Sequence, residues 1–195
     1  GPSKDLLYRL HEELSISYHR CLLDRPAAES ARAYLASRAL NEDVVREFRI
    51  GYAPPVWDGM LRWARPKKYD LELLLAAGLV VKSDRPDARN PYYDRFRDRL
   101  MFPIRDEQGR VVAFSGRVLE ADAKAAKYVN SPETPLFRKG SVLYALDKAR
   151  RAILDAREAI VCEGQIDVIR CHQAGITTAV AAQGTAFTET HARLL

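Results

Sequence analysis

Hydrophobic positions recur at helical spacing through the first quarter of the chain. Leu6, Leu7, Leu10, Leu14, Tyr18, Cys21 and Leu22 form one stripe over residues 4–24, because side chains three and four apart share a helix face. Pro26 ends that helix and suits the entry to a second over 28–40, whose inner face holds Ala31, Tyr34, Leu35 and Ala39. Asn41 is placed to cap a short third helix through Phe48. Residues 50–55 break the pattern and read as extended. Two more short helices are predicted over Trp57–Trp63 and Asp70–Ala77, the second stopped by Gly78.

The period then changes. Leu79 to Val81 reads as a strand, followed by a polar turn region from Ser83 to Pro91. Leu100–Ile104 and Val111–Phe114 read as strands joined by a hairpin turn, Asp106-Glu107-Gln108-Gly109. Pro103 has no N–H for a ladder and implies an edge position or a bulge. Residues 121–141, with Pro132, Pro135 and Gly140 and little apolar periodicity, read as a long functional loop over the strands. A helix over 146–156 follows, then a short buried strand from Ala159. A second helix buries Val168, Ile169 and Cys171 and stops at Gly175, and a strand over 177–182 completes a β-α-β unit. The fold class is α+β. A mixed helical and antiparallel-sheet subdomain over residues 3–145 precedes a partial α/β, Rossmann-like subdomain over 146–195.

Composition adds bounds. With 195 residues, 47% hydrophobic and 29% charged, the chain has the makeup of an ordinary globular protein. No apolar run approaches membrane-span length, and the amphipathic start is not a signal peptide, so no membrane partner is expected. Gly1-Pro2 has the form of a protease-cleavage remnant. Cys21, Cys162 and Cys171 show no paired spacing, which points to a reducing, cytoplasmic setting. The net charge of +5 is unevenly spread: Arg85–Arg151 holds 15 basic and 9 acidic residues, and the remainder nets −1. A polyanionic partner for that segment, or a merely solvated basic face, are both compatible with charge alone.

Candidate chemistry gathers at Glu163 and Asp167. A carboxylate ending a strand and another in the first turn of the next helix can share one crevice, and hard oxygens there suit Mg²⁺ or Mn²⁺ and phosphate. An isolated E-G-x-x-D is a weak pattern and is better explained by helix capping and dipole complementation. Two features favour the site. Gly184-Thr185 makes a second small turn on the same sheet edge, and Arg95, Arg97 and Arg99 alternate as a cationic ladder would on one face of a strand. Arg117, Lys127, Arg138 and Lys139 follow, with Tyr128 available to stack on a base or sugar.

The chain resembles the RNA-polymerase core of DnaG-type bacterial DNA primases, which carries a TOPRIM domain. The resemblance rests on Arg32–Arg38, Ile50–Pro54, Tyr93–Arg105, Gly109–Arg117, Lys127–Thr134, Phe137–Gly140, Glu163–Val168 and Ala179–Ala186, in that order along the chain. It implies DNA-templated synthesis of short RNA primers from ribonucleoside triphosphates on a single-stranded DNA template. It implies Glu163 as a catalytic and metal-site carboxylate assisted by Asp167. It also implies that Arg38, Arg95, Arg117, Lys127, Tyr128, Asn130 and Lys139 line the nucleotide and template surface; Arg97 joins them from the charge pattern.

Departures from the family pattern qualify these implications. The family's further metal-binding acids, an Asp-Gly-Asp after the third TOPRIM strand, would follow Leu195, so these 195 residues alone are expected to be inactive. The zinc of the family belongs to an N-terminal domain, and the replicative helicase is engaged by a C-terminal one; neither is in this chain. Ser115 stands where glycine is usual, Gln165 replaces an aromatic and Ala145 a glycine. A single-stranded nucleic-acid-binding module without polymerase activity, or another TOPRIM enzyme (a nuclease or topoisomerase), would share parts of this pattern.

Overall fold

The computed structural model describes residues 1–120 and 126–195. Helix α1 (Lys4–Asp24) starts where the Ser3 hydroxyl accepts the Leu6 N–H at 3.2 Å, and it buries Leu7, Leu10, Leu14, Tyr18 and Leu22. Pro26 opens a single 3₁₀ turn before α2 (Glu29–Ser37), which ends three residues short of the predicted Leu40. Asn41 caps α3 (Glu42–Glu47) by accepting from Val44 N at 2.9 Å, as its position predicts. Strand β1 (Gly51–Ala53) occupies the predicted extended piece, and α4 (Gly59–Ala64) and α5 (Leu71–Ala76) follow, α5 capped by Asp70. Strands β2 (Val80–Lys82) and β3 (Tyr92–Asp94) pair as an antiparallel ribbon around the polar 83–91 segment.

The central sheet has the order β1-β4-β5-β6, all antiparallel, with β4 (Arg99–Arg105), β5 (Val111–Val118) and β6 (Tyr128–Asn130). After it come β7 (Leu143–Tyr144), α6 (Leu146–Ala156), β8 (Ile160–Cys162), α7 (Gln165–Gln173), β9 (Ala179–Ala182) and α8 (Glu189–Leu194). Their sheet has the order β7-β9-β8, with β8 and β9 parallel around the α7 crossover. Among the described residues no helix is long and apolar enough to cross a membrane.

Both faces of the central sheet are covered, which explains why β4 and β5 read as continuous apolar runs instead of alternating ones. Leu100, Phe102, Ile104 and Val112 face Ile166, Val168, Ile169, Ala179 and Ala181, so the first sheet and the β8-α7-β9 unit share a core. Met101, Val111 and Phe114 face the other way, into α1, α4 and α5. Pro103 lies beyond the reach of β1, which pairs only with Arg99–Met101, and a register shift follows at Ile104/Arg105. The missing N–H therefore falls where no neighbour needs it.

Three expectations are corrected. Arg95, Arg97 and Arg99 do not form a ladder, because β3 ends at Asp94 and only Arg99 lies in β4. Between them Phe96 turns into the core at 2% exposure, and Asp98 takes a left-handed φ of 49° with its carboxylate receiving the Tyr52 hydroxyl at 2.5 Å. Burial of one aromatic outweighs regular extension here. The strand at 160–162 is not buried: Ile160 and Val161 are 42% and 46% exposed, since β8 is the outermost strand with β9 on one side only. The predicted loop over 121–141 contains strand β6. Residues 121–125 of that prediction lie outside the described residues.

Asp94 organises the turn from β3. Its buried carboxylate accepts the Met60 N–H at 3.0 and 3.2 Å and so caps α4 from a distant part of the chain. Burial raises its pKa to about 6, against the lowering pull of the Met60 amide. A folded-state value above the unfolded one means stability that is full below about pH 4 and is lost as pH rises through 6. Asp94→Asn keeps the acceptor and removes the charge. It is expected to stabilise the protein by about 2 to 3 kcal/mol at pH 7.5 and by nothing at pH 4, read as the difference in urea unfolding between variant and wild type. His11, buried against Phe114 with its pKa lowered to about 4, titrates in both proteins and cancels in that difference. At Gly78, φ is +69° and an added Cβ would meet the Pro132 ring. Gly78→Ala should therefore lose about 2 kcal/mol or more in the same measurement, combining left-handed strain with a clash; an unchanged midpoint would mean that Pro132 does not seat there.

Candidate functional site

Glu163 follows β8 and Asp167 stands in the first turn of α7, both exposed. Gly164 occupies the N-cap in extended conformation and offers no side-chain acceptor, so the first amides of this nine-residue helix are uncapped. An uncapped helix start presents N–H groups and a positive dipole end to an anion. Among the described residues neither carboxylate is engaged in an ion pair, and no group of three or more His, Cys, Asp or Glu is placed to hold a metal. Two free hard-oxygen donors fit Mg²⁺ or Mn²⁺, which bind through one or two carboxylates and keep waters or substrate phosphates in their other positions.

Strand β6 brings the rest of the site to this edge. The Tyr128 hydroxyl and Asp167 Oδ2 lie 3.5 and 3.6 Å from the point where a Gly164 side chain would begin. At Gly184, whose φ is +64°, an added Cβ would collide with Asn130 Nδ2. Glycine at 184 thus leaves room for the Asn130 side chain, while the Tyr128 hydroxyl lies beside the Gly164 turn, so one short strand reaches both strand ends of the β8-α7-β9 unit. Burial raises the Tyr128 pKa against the opposing pull of Arg117, so the phenol remains a neutral donor at physiological pH.

A chain of rings and guanidinium groups extends from there. Arg117, opposite Tyr128 in the β5–β6 register, is only 7% exposed. Its guanidinium stands 4.8 Å from the Tyr34 ring centre and 5.7 Å from that of Tyr128, and one nitrogen donates to Val118 O at 3.0 Å. Its Nε has no hydrogen-bond partner among the described residues. Arg38 stands 5.2 Å from the same Tyr34 ring. Buried cations with unspent donors are rare, because desolvating them without partners is unfavourable. Asn130 Oδ1, Tyr34 OH and Gln183 Nε2 are buried and unpartnered in the same way.

The other basic residues divide. Arg95 donates through Nε and a terminal nitrogen to the Asn130 carbonyl at 2.9 and 2.7 Å, so it fixes β6 instead of projecting outward. Arg97 donates to Asp94 O at 2.5 Å and lies over the Trp57 indole at 3.8 Å from its centre, with Tyr93 at 5.5 Å. Trp57 is 61% exposed. Lys127 is exposed at the start of β6. Lys139 sits in a 3₁₀ turn whose backbone is bracketed by Glu133 at 3.2 Å and His191 at 2.8 Å, tying it to α8. The structure thus gathers Arg38, Arg117, Tyr128 and Asn130 with the two carboxylates, links Arg95 to them through Asn130, and places Arg97 on a separate aromatic platform.

Sequence reasoning missed Tyr34, Trp57 and the buried Gln165–Gln183 amide pair, whose Nε2 and Oε1 meet at 2.5 Å. Tyr34 and Trp57 carried helical-period signals that pointed to packing. Gln165 did depart from the aromatic expected there, and Gln183 supplies the partner that a buried amide requires.

Comparison with known proteins follows this geometry. Residues 18–150 match the family described as the N-terminal domain of the DNA primase catalytic core, and residues 157–195 match the Toprim domain, a domain that generally binds divalent metal ions such as Mg²⁺. The DNA primase of Pseudomonas aeruginosa is 45% identical over 194 residues, covering 100% of this chain and 28% of its own length. That of Deinococcus radiodurans is 48% identical over 181 residues, covering 93% and 30%. The chain therefore spans about a third or less of the curated relatives it matches. The RNA polymerase domain of Mycobacterium tuberculosis primase DnaG, solved with a double-stranded DNA oligomer bearing a 6-nucleotide overhang, superposes with a TM-score of 0.89 at 40% identity, covering 98% of this chain and 59% of that one. A DnaG primase catalytic domain bound to ssDNA gives 0.84 at 44%, covering 98% and 58%. With a superposition covering nearly the whole chain and both family matches in order, the chain belongs to the bacterial DNA primase family, as its catalytic-core N-terminal domain joined to Toprim sequence.

Proposed function

We propose that this chain is the template- and nucleotide-facing part of a DNA primase, an enzyme that synthesises RNA primers on single-stranded DNA by nucleotidyl transfer in the bacterial cytoplasm. The observation that carries the reading is Arg117. A buried guanidinium whose Nε has no partner among the described residues, held between Tyr34 and Tyr128 on the edge that bears Glu163 and Asp167, suits an anion that those residues do not supply. A nucleotide phosphate is that anion.

In this reading residues 3–145 present the basic surface and residues 146–195 the carboxylates. Glu163 is the catalytic carboxylate and Asp167 its assistant, and both hold Mg²⁺ or Mn²⁺ when it is bound. The ion then supplies Lewis-acid stabilisation of the charge that develops on the transferred phosphoryl group. The uncapped start of α7 adds dipolar attraction for phosphate. Arg117 and Arg38 bind phosphate, and the Tyr128 phenol donates a hydrogen bond beside Asp167. Asn130 keeps an acceptor free for a sugar or base, positioned by Arg95. Lys127 and Lys139 attract the backbone of template and primer, while Trp57 under Arg97 offers a stacking surface for an unpaired base. The solved relative bound to ssDNA supports the choice of partner. Engagement of a replicative helicase belongs to sequence beyond this chain.

Binding of a fluorescent single-stranded oligonucleotide, followed by anisotropy across a salt series, tests the reading. Trp57→Ala is expected to weaken binding by about 1 to 3 kcal/mol at every salt concentration, the range for one stacked base. Lys127→Ala should instead lower the salt slope by about 0.7, the increment for one phosphate on a single strand. Both residues are exposed, so folding survives; binding by both variants indistinguishable from wild type would sink the proposal. In a primer-synthesis assay these 195 residues alone are expected to yield no product, since the crevice holds two carboxylates among the described residues. Product from the chain alone would show that two suffice.

A further inference from the structure

Beyond the residues of the middle segment lies a second basic surface. Arg62, Arg65, Lys67 and Lys68 carry four positive charges over seven residues that include no acid, and all four are exposed. Arg62 is paired with Asp58 at 3.1 Å, but Arg65, Lys67 and Lys68 make no ion pair among the described residues. Lys67 is held with its ammonium 5.2 Å from the Trp63 ring centre, and Trp63 in turn stacks on Tyr69 at 5.9 Å. Lys68 takes a left-handed φ of 60°, a conformation usually left to glycine or asparagine. Complementing the dipole at the end of α4 would need one cation, and three are left over.

This surface is joined directly to the Trp57–Arg97 platform. Trp57 O accepts the Asp94 N–H at 2.8 Å, Asp94 caps α4 through Met60, and Arg97 donates to Asp94 O. A single knot thus fixes the aromatic platform to the start of α4, and the three free cations stand past its other end. From Trp57 to Lys67 the chain rises roughly 15 Å at helical spacing. That distance corresponds to about four phosphates at the duplex spacing of ~3.4 Å per nucleotide.

We propose that Arg65, Lys67 and Lys68 bind the phosphate backbone of the single-stranded template after it leaves the Trp57 platform, extending the track past the nucleotides at the carboxylates. This inference rests on the template reading above and adds a segment to it. Cations held beside one another near an exposed stacking residue give sequence-independent grip, which lets a strand be held while it shifts.

The test compares wild type with Arg65→Gln/Lys67→Gln/Lys68→Gln, using labelled oligo-dT of 20 nucleotides between 50 and 200 mM salt. The three sites are exposed, and matched thermal melts confirm that folding is retained. The expected result is a salt slope lower by about 2, from three phosphates at ~0.7 each. A control variant, Lys148→Gln/Arg151→Gln/Arg157→Gln, removes equal charge from the α6 region. An unchanged slope for the first variant, or an equal loss in the control, overturns the inference. Failure of wild type to bind the 20-mer at 50 mM salt would overturn the template reading together with it.

Discussion

The site depends on how closely strand β6 approaches the β8-α7-β9 unit. Asn130 lies against Gly184, where any side chain would collide with it, and the Tyr128 hydroxyl lies beside Gly164. On its other side β6 is held by its ladder to β5 and by the Arg95 guanidinium on the Asn130 carbonyl. Three residues of strand are thus clamped between a sheet and the turns of the β8-α7-β9 unit, and Tyr128 and Asn130 take their positions from that clamp. A Cβ at Gly184 would displace the Asn130 side-chain amide.

The electrostatics follow from the same packing. Arg117 is opposite Tyr128 and buried, and among the described residues its charge is met by two aromatic faces and one carbonyl, not by a carboxylate. Asp167 and the Tyr128 hydroxyl both lie beside Gly164, and among the described residues Glu163 and Asp167 are exposed and make no ion pair. Among the described residues neither Arg117 nor the two carboxylates are joined in a salt bridge. A salt bridge across the crevice would have produced a closed, inert edge.

The two units also share a hydrophobic core. Leu100, Phe102 and Ile104 on one face of β4 pack with Ile166, Val168 and Ile169 of α7 and with Ala179 and Ala181 of β9. The exposed edge is elsewhere: β8 presents Ile160 and Val161 outward, where an additional strand would find unpaired backbone groups.

The amino-acid sequence by itself determined the helices, the hairpin and the β-α-β unit, because hydrophobic spacing and turn residues act over a few positions. Asn41, Asp70, Gly78, Gly109 and Gly175 stand where their short-range chemistry put them. It also determined Glu163 and Asp167 as the acids of interest, since a strand end followed by a helix start is a local pattern. Only the tertiary structure decided what the basic residues do. Arg95, Arg97 and Arg99 look alike in sequence, yet one grips a carbonyl in β6, one covers an indole, and one lies in β4. Which fate each met depended on the burial of Phe96, the left-handed turn at Asp98 and the arrival of β6, all set by contacts between residues far apart in the chain. Tyr34 and Arg117 are separated by more than eighty positions, and no spacing rule joins them. A long cation's role is fixed by which partner reaches it first, and that is a property of packing.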